Sequence, residues 1–465
     1  MRIARITLLA AAISATSWNS RPARAAGDAG TVAPAPDFSA ELARMRADLA
    51  EIRRARDESW LDAQRAEEVR ALVRDVLADS SVRSQWSGSP LVTGYDQARG
   101  FYLGLDDQGQ SIRAFGFGQV RFVWNDGYDA AERTPAADDV WGAEVRRIQL
   151  FVTGTIGGPD LTWLIGLSVG SWNDPVNMQA IRANPRVVNG SPPQISYLTV
   201  TKQLGDGWYL QVGNVFTPFT YESHLFSTAE TQMGECSMLE WLFTAAFTTG
   251  ASVGWDGDSV RWQAVVGDQV GTGPGAWNAA VNQSIAATGR LNWKLCGTWE
   301  QYALETSFPG QPFGAFVGLA GQYQNGRAIN PASSGGVNPR AVTADLALMF
   351  GGANLILQGI WADQWIDRDE QSWGGLVQGG VFLGPAVEAF TSWGIADVGG
   401  TQSRINVGAN WYLDGQALKL TGMVIVPLTS IPGNADTAVL PPQGLGGGAD
   451  PNNNLSVVLQ LQAEF

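Results

Sequence analysis

LSVVLQLQAEF, residues 455–465, alternates without interruption, and its reading decides the fold. Leu455, Val457, Leu459, Leu461, Ala463 and Phe465 share one parity; Ser456, Val458, Gln460, Gln462 and Glu464 share the other. Successive side chains of a strand point to opposite faces, so this is a ribbon with one apolar and one mostly polar face. Taken alone, it also fits the last strand of a soluble sandwich.

The same pattern recurs upstream. In SIRAFGFGQVRFVW (111–124), Ile112, Ala114, Gly116, Gly118, Val120, Phe122 and Trp124 form an uncharged side opposite Arg113, Gln119 and Arg121. In VRRIQLFVTGTI (145–156), Ile148, Leu150, Val152 and Ile156 oppose Arg147, Gln149, Thr153 and Thr155. In GRLNWKLCGTWE (289–300), Leu291, Trp293, Leu295 and Trp299 oppose Arg290, Asn292, Lys294, Cys296, Thr298 and Glu300. A soluble sandwich would place many Lys and Glu on its outer face. Here charged residues are only 16 % of 465, against about a quarter in soluble proteins. Lys202, Lys294 and Lys419 are the only lysines, while Trp numbers 19 and Phe 18. Trp124, Trp163, Trp172, Trp208, Trp262 and Trp299 sit at segment ends. An uncharged face ending in aromatics is what a lipid-facing stave needs. Backbone groups in a bilayer must all be paired, so the sheet has to close.

Alternating segments fall near 111–124, 143–156, 161–172, 194–204, 207–216, 248–256, 259–267, 287–299, 311–324, 340–350, 353–364, 373–384, 386–396, 401–413, 416–427 and 455–465. The fold expected is an all-β transmembrane antiparallel barrel of about sixteen strands, preceded by an N-terminal helical coiled coil. Sixteen strands leave an aqueous lumen. Short connections at 205–207, 351–352 and 384–385 alternate with long ones at 125–142, 217–247, 268–286 and 428–454. The helix and both ends of the barrel are then expected on the periplasmic, short-turn side.

The N-terminus reads as an address. MRIAR carries two arginines, ITLLAAAISA is a short apolar core, and Ala23-Arg24-Ala25 offers an A-x-A site, giving a signal peptide over 1–25. A site near Ser17 is the alternative, and a buried core helix the other reading. Residues 26–36 form a Gly/Ala/Pro linker. Over 37–84, Leu42, Met45, Leu49 and Ile52 begin an apolar seam that Ala55, Ser59, Ala63, Ala66, Val69, Val73 and Val76 continue. That predicts a periplasmic coiled coil, or else a single amphipathic helix. Residues 85–99 read as a second linker and 100–465 as the barrel.

Several segments are similar to the phosphate-selective porin O and P family. They are AEVRRIQLFVTGTIGGPDLTW (143–163), YLQVGNVFTPFTYESHL (209–225), LVQGGVFLGPAVEAF (376–390), INVGANWYLDGQALKLTG (405–422) and LQLQAEF (459–465), in family order. The resemblance implies a sixteen-stranded homotrimeric porin of the outer membrane. It implies a loop after VGNVFTPF that folds into the lumen, here 217–247. It also implies that Phe465 is read by the outer-membrane assembly machinery. The family's basic pore lining is missing. Residues 91–465 hold 17 basic against 32 acidic residues, so phosphate selectivity does not transfer.

The constriction loop carries Glu222, Glu230, Glu235 and Glu240 and no Lys or Arg. Carboxylates in a narrow aqueous path favour cations. Gln119, Arg121, Arg147, Arg290 and Lys294 are the expected pore wall, with Arg121 and Arg147 facing the carboxylates across it. Each glutamate could instead be a solvated loop residue or helix cap. Cys236 in the loop and Cys296 on a lumen parity make a candidate disulfide. His224, the sole histidine, has no nucleophile and orienting partner at a useful spacing, so no enzyme is expected, nor any cofactor or metal. PPQGLGGGADPNNN (441–454) reads as a flexible outer loop. The partner expected is the outer-membrane bilayer; a net charge of −14 argues against nucleic acid. The reading is a diffusion porin with a cation leaning. Its rivals are a structural barrel tethering the envelope and a secreted soluble all-β binding protein.

Overall fold

A computed structural model describes residue 47 and residues 91–96, 100–105, 110–125, 128–129, 134–135, 140–170, 191–225, 229–243, 247–268, 285–325, 338–365, 371–429 and 455–465. The signal peptide, the first linker and all but one residue of the coiled coil lie outside these residues.

Sixteen antiparallel strands close on themselves. In chain order they are β3 (Gln110–Asn125), β6 (Val140–Thr155), β7 (Leu161–Gly170), β8 (Ser191–Gly205), β9 (Trp208–Phe216), β10 (Phe247–Asp256), β11 (Val260–Gly267) and β12 (Ala286–Cys296). The second half comprises β13 (Gly314–Gln324), β14 (Arg340–Met349), β15 (Ala353–Asp363), β16 (Gln371–Phe382), β17 (Val387–Asp397), β18 (Thr401–Asp414), β19 (Leu418–Pro427) and β20 (Ser456–Glu464). A two-strand ribbon, β4 (Tyr128–Asp129) with β5 (Thr134–Pro135), decorates the connection after β3. Closure is made by β20 on β3, with Gln460 opposite Arg121 and Gln462 opposite Gln119. Phe465 then exchanges backbone hydrogen bonds of 2.8 and 2.9 Å with Gly116.

A hairpin of β1 (Leu91–Asp96) and β2 (Gly100–Leu105) continues the sheet beyond that closure, because β2 pairs with the start of β3. The stretch expected as a linker over 85–99 therefore carries a strand at Leu91–Asp96. Its Ser, Gly and Pro read as a linker, but β3 offers five further residues of edge for β2 to pair with.

The alternation of the sequence is the alternation of the two surfaces. On β20, Leu459 and Leu461 are 46 % and 45 % exposed, while Gln460 and Gln462 are 1 % exposed. Val120 and Phe122 likewise point out from β3, and Gln119 and Arg121 point in. This is inside-out relative to a soluble protein, and an apolar exterior of this extent calls for a hydrocarbon environment. Exposed tryptophans gather near the two rims: Trp208, Trp293 and Trp411 toward one, Trp141, Trp361, Trp373 and Trp393 toward the other.

Turns of a few residues join β6 to β7, β8 to β9, β10 to β11, β14 to β15, β16 to β17 and β18 to β19 at one rim. One connection at that rim breaks the habit: 297–313, between β12 and β13, is long and turns inward. Its point of departure is Gly297, at φ +93°, where a Cβ would lie 2.7 Å from the Gly314 backbone. Trp299, expected on the apolar face of a strand, is instead buried on the inner side against Tyr302 and Phe316. The expected strand ends before it, because the chain has turned at Gly297 into a short helix.

Candidate functional site

Two segments enter the lumen from opposite rims. The first follows β9 and runs through 217–243. It is drawn in by its own side chains, since Phe219, Tyr221, Met233, Met238, Leu239 and Phe243 must be covered and are at most 2 % exposed. Helix α1 (Met238–Phe243) packs Met238, Leu239 and Phe243 against Ile360, Ala362, Trp365, Leu376 and Ala396 of the wall. Ser237 caps its first turn, accepting from the Glu240 amide at 3.2 Å.

Upstream of α1 the segment is fixed by polar contacts. Gln232 Nε2 donates to Asn354 Oδ1 of β15 at 2.8 Å and to Glu388 Oε1 of β17 at 2.6 Å. Its carbonyl accepts from Asn410 Nδ2 of β18 at 2.8 Å. Lys419 Nζ of β19 donates to the Thr231 carbonyl at 2.8 Å, and Gln462 Nε2 of β20 donates to that of Ala229 at 3.1 Å. The wall thus satisfies backbone groups that an irregular segment inside a barrel cannot pair by itself.

Of the four glutamates expected to ring the path, three are buried: Glu222, Glu235 and Glu240. Glu235 is the hub of the site. Arg146 Nε, Arg147 Nη2 and Arg121 Nη1 donate to its carboxylate at 2.7, 2.5 and 3.1 Å, and Arg121 Nε also meets Glu144 at 2.5 Å. Burial by itself would raise the Glu235 carboxyl; the charges of Arg146, Arg147 and Arg121 overcome it and hold the group well below the usual carboxylate range. The two wall arginines that were expected to face the carboxylates across water bind one of them directly.

The third arginine was invisible to strict parity. β3 and β6 slip register between Gln119 opposite Arg147 and Val120 opposite Val145. Arg146 is the extra residue of that bulge, and both members of the Arg146–Arg147 doublet turn inward. A charged doublet inside an alternating strand was the available signal, since one of the two would otherwise face lipid.

Glu222 is treated differently. It accepts from the Ser237 amide at 2.8 and 3.0 Å, and it lies near Glu305 and Glu240, with the Arg404 charge also within reach. Burial, then the charges of Glu305 and Glu240, push its carboxyl well above the usual range, against the pull of the Ser237 amide. Glu240 takes the Thr220 hydroxyl. Glu230 is half-buried, and its carbonyl accepts from the Glu305 amide at 3.4 Å.

Glu305 belongs to the second inward segment, 297–313. Helix α2 (Trp299–Tyr302) opens it, with a capping box between Thr298 and Gln301. Beyond α2, Glu305 accepts from the Gln232 amide at 2.7 Å and from Gln378 Nε2 at 3.0 Å. Its carboxyl is raised by burial, against the Gln232 amide, the Gln378 amide, the Lys419 charge and the Glu222 side chain. Thr306 and Tyr412 share a 2.9 Å hydrogen bond, and Phe308 lies against Tyr412 and Phe382. His224 joins the two segments. Its ring stacks on Tyr302 at 3.9 Å between centroids, and Nε2 sits 2.5 Å from the Tyr302 carbonyl. Burial lowers His224 to about 3, with Arg290 adding and the Tyr302 and Tyr221 carbonyls opposing.

The remaining wall residues take separate places. Gln119 Nε2 donates to Gln462 Oε1 at 2.8 Å. Arg290 forms a buried pair with Asp345 of β14 at 2.8 Å and donates to the Tyr302 hydroxyl at 2.9 Å. Lys294 lies 5.3 Å above the Trp299 ring. Arg404 of β18 is buried in the lumen wall, with Nε and Nη1 unpartnered. Sequence reasoning did not single out Arg146, Arg404, Glu144, Glu305, Asp345, Glu388 or Lys419.

Cys236 and Cys296 are free thiols, which corrects the expected disulfide. The register between β12 and β13 slips after Lys294, which opposes Phe316, so that Cys296 opposes Ala315. Leu295 is the extra residue, and one added residue reverses parity. Cys296 therefore leaves the lumen side, where Cys236 lies, and is exposed.

Taken together, the inward segments pack against the wall formed by β13–β20, β3 and β6. A cavity of about 450 Å³ remains against β7–β12, roofed by Pro218, Ser223 and His224 and bounded below by Trp299 and Tyr302.

No family model and no curated sequence matches the chain. Solved structures similar to it include porins. The anion-selective porin of Comamonas acidovorans is 16 % identical, with a TM-score of 0.48 over 77 % of this chain and 100 % of that one. Salmonella typhi OmpF, solved with daunomycin, is 10 % identical, with a TM-score of 0.49 over 78 % and 99 %. A triple mutant of the Rhodopseudomonas blastica porin is 14 % identical, with a TM-score of 0.41 over 76 % and 100 %.

Proposed function

We propose that the protein is an outer-membrane porin through which small hydrophilic solutes and ions diffuse passively. One observation carries this reading: a closed barrel exposes apolar side chains outward, encloses polar ones, and keeps a polar cavity beneath a loop folded into its lumen. A soluble binding protein would have the opposite distribution. A purely structural barrel has no need of a wetted path. Homotrimerisation, a periplasmic coiled coil after a cleaved signal peptide, and recognition of Phe465 by the assembly machinery belong to the same proposal. Phe465 is suited to that role, with its side chain 44 % exposed at the closing seam.

A cation leaning is part of the reading, but the loop glutamates are not its source. Glu235 is neutralised by arginines, and Glu222 shares its environment with a second carboxyl. The leaning rests on the acidic excess of residues 91–465, 32 against 17. Planar-bilayer recordings test both parts. Stepwise conductance is expected, with a reversal potential in a KCl gradient that favours potassium. Absence of conductance overturns the porin; a chloride-favouring potential overturns the leaning alone.

A further inference from the structure

The cavity against β7–β12 differs in chemistry from the packed side of the lumen. Its wall is a patch of uncharged hydrogen-bonding side chains on lumen-facing positions: Thr199, Thr201 and Gln203 of β8, Gln211 of β9, Gln263 of β11 and Asn292 of β12. The charges that border it are answered locally. Arg290 is held by Asp345 at 2.8 Å, and Arg261 lies 3.6 Å from Asp256. The roof imidazole of His224 is fixed by the Tyr302 stack and by one N–H given to a backbone carbonyl, that of Tyr221 or of Tyr302. An ion entering this space exchanges its hydration for groups with no net charge.

The neutral groups are pre-oriented. Gln211 Nε2 donates to Thr201 Oγ1 at 3.1 Å, and Gln263 Nε2 donates to Ser252 Oγ at 3.2 Å. Each bond uses one of the amide's two N–H groups and orients its oxygen as an acceptor. Tyr209, Trp299 and Tyr302 add ring surface to the same wall. Acceptors, hydroxyls and aromatic surface around one small volume complement a solute with many hydroxyls on an apolar ring. Each solute–water hydrogen bond can be exchanged for a solute–wall bond at little net cost.

We propose that this cavity is a subsite for a small neutral polyhydroxylated solute of about one sugar ring, on the exit side of the constriction. The subsite deepens the porin reading and rests on it for its role in transport. Its affinity must be weak, because a conducting path has to release what it binds.

The test uses D-glucose as probe, the sugar acid D-glucuronate as charged control, and the folded full chain in detergent. Saturation-transfer NMR reads binding without conduction. Transfer to glucose protons is expected, saturating with concentration, and weaker for glucuronate. In a Gln211→Ala/Gln263→Ala double variant the apparent affinity falls about fivefold or more, as loss of two acceptors implies. Gln358→Ala, on the packed side, leaves it unchanged. Glucose transfer equal in wild type and double variant, or equal for both probes, overturns the subsite. Bilayer currents separate the two readings. Current without saturable transfer leaves the porin standing and removes the subsite; saturable transfer without current removes the porin and leaves the subsite.

Discussion

On the β13–β20 side of the lumen, an irregular segment is packed, bonded and charge-matched like a protein core. On the β7–β12 side, the same kind of wall residues line a cavity. Both sides obey one strand alternation, so alternation does not distinguish them. The inward segments do. Gln232 finds partners on β15, β16, β17 and β18, and Met233 packs with Phe390, Met423 and Val458. Pro218, Ser223 and His224 instead roof the cavity. In this barrel the lumen residues on one side are packed, and those on the other line open space.

The largest effect is expected at the hub of the packed side. Glu235→Ala removes the one carboxylate shared by Arg121, Arg146 and Arg147. Breaking a buried pair costs about 3–5 kcal/mol, chiefly because the orphaned charge stays buried. Urea unfolding in detergent should show a loss of that order, and the reversal potential should move toward chloride. An unchanged midpoint would mean that the seat of the loop does not depend on this carboxylate.

Next in size is a steric comparison. Thr201→Trp places a large ring in the cavity and should lower single-channel conductance severalfold with little change in stability. Thr343→Val, on the packed side, removes a hydroxyl that bonds the Gly359 carbonyl at 3.0 Å and receives Gln358 Nε2 at 3.2 Å. It should cost about 1–3 kcal/mol, as unsatisfied buried polar groups do, and leave conductance unchanged. The reverse pattern would place the solute path on the other side.

Much of the outer surface could be read directly. The parity of Leu459, Gln460, Leu461 and Gln462 gives their faces, because lipid and water enforce one rule along every regular strand. The lumen was less legible. Bulges at Arg146 and Leu295 each shift parity by one, and neither leaves a composition signal as strong as the alternation it interrupts. The segment 297–313 lies at the rim of short turns, and nothing in its sequence announces that it folds inward. The arginine partners of Glu235 lie more than 80 residues distant, such as Arg147 at a separation of 88. Local pattern cannot tell a carboxylate that meets three arginines from one that meets another carboxyl.

Those two carboxylates should respond oppositely to pH, with a smaller effect than the substitutions above. Glu235 has a depressed folded pKa, so its contribution is full above the ordinary carboxylate range and is lost only in strong acid. Glu222 and Glu305 have raised ones, so their contribution is full below that range and is lost as pH rises through the raised values. Thermal stability should therefore fall as pH rises above that range, as the contact between the inward segments acquires two negative charges. Glu222→Gln should flatten that slope. A slope preserved in this variant would assign the pH dependence elsewhere.

The smallest effect sharpens the comparison between inside and outside. Cys296 is exposed beyond the bulge at Leu295, whereas Cys236 lies beside Glu222 and Glu235, where burial and then those carboxylates push its thiol up. Thiolates are the reactive form, so Cys236 should react slowly and Cys296 readily with a maleimide on the folded protein. Unfolded, unreduced protein should titrate two thiols. Because Cys296 has left the lumen side, its modification should hardly change conductance, whereas a label carried by Cys236 should lower it. Block by the Cys296 label would restore that residue to the lumen and remove the bulge from the argument.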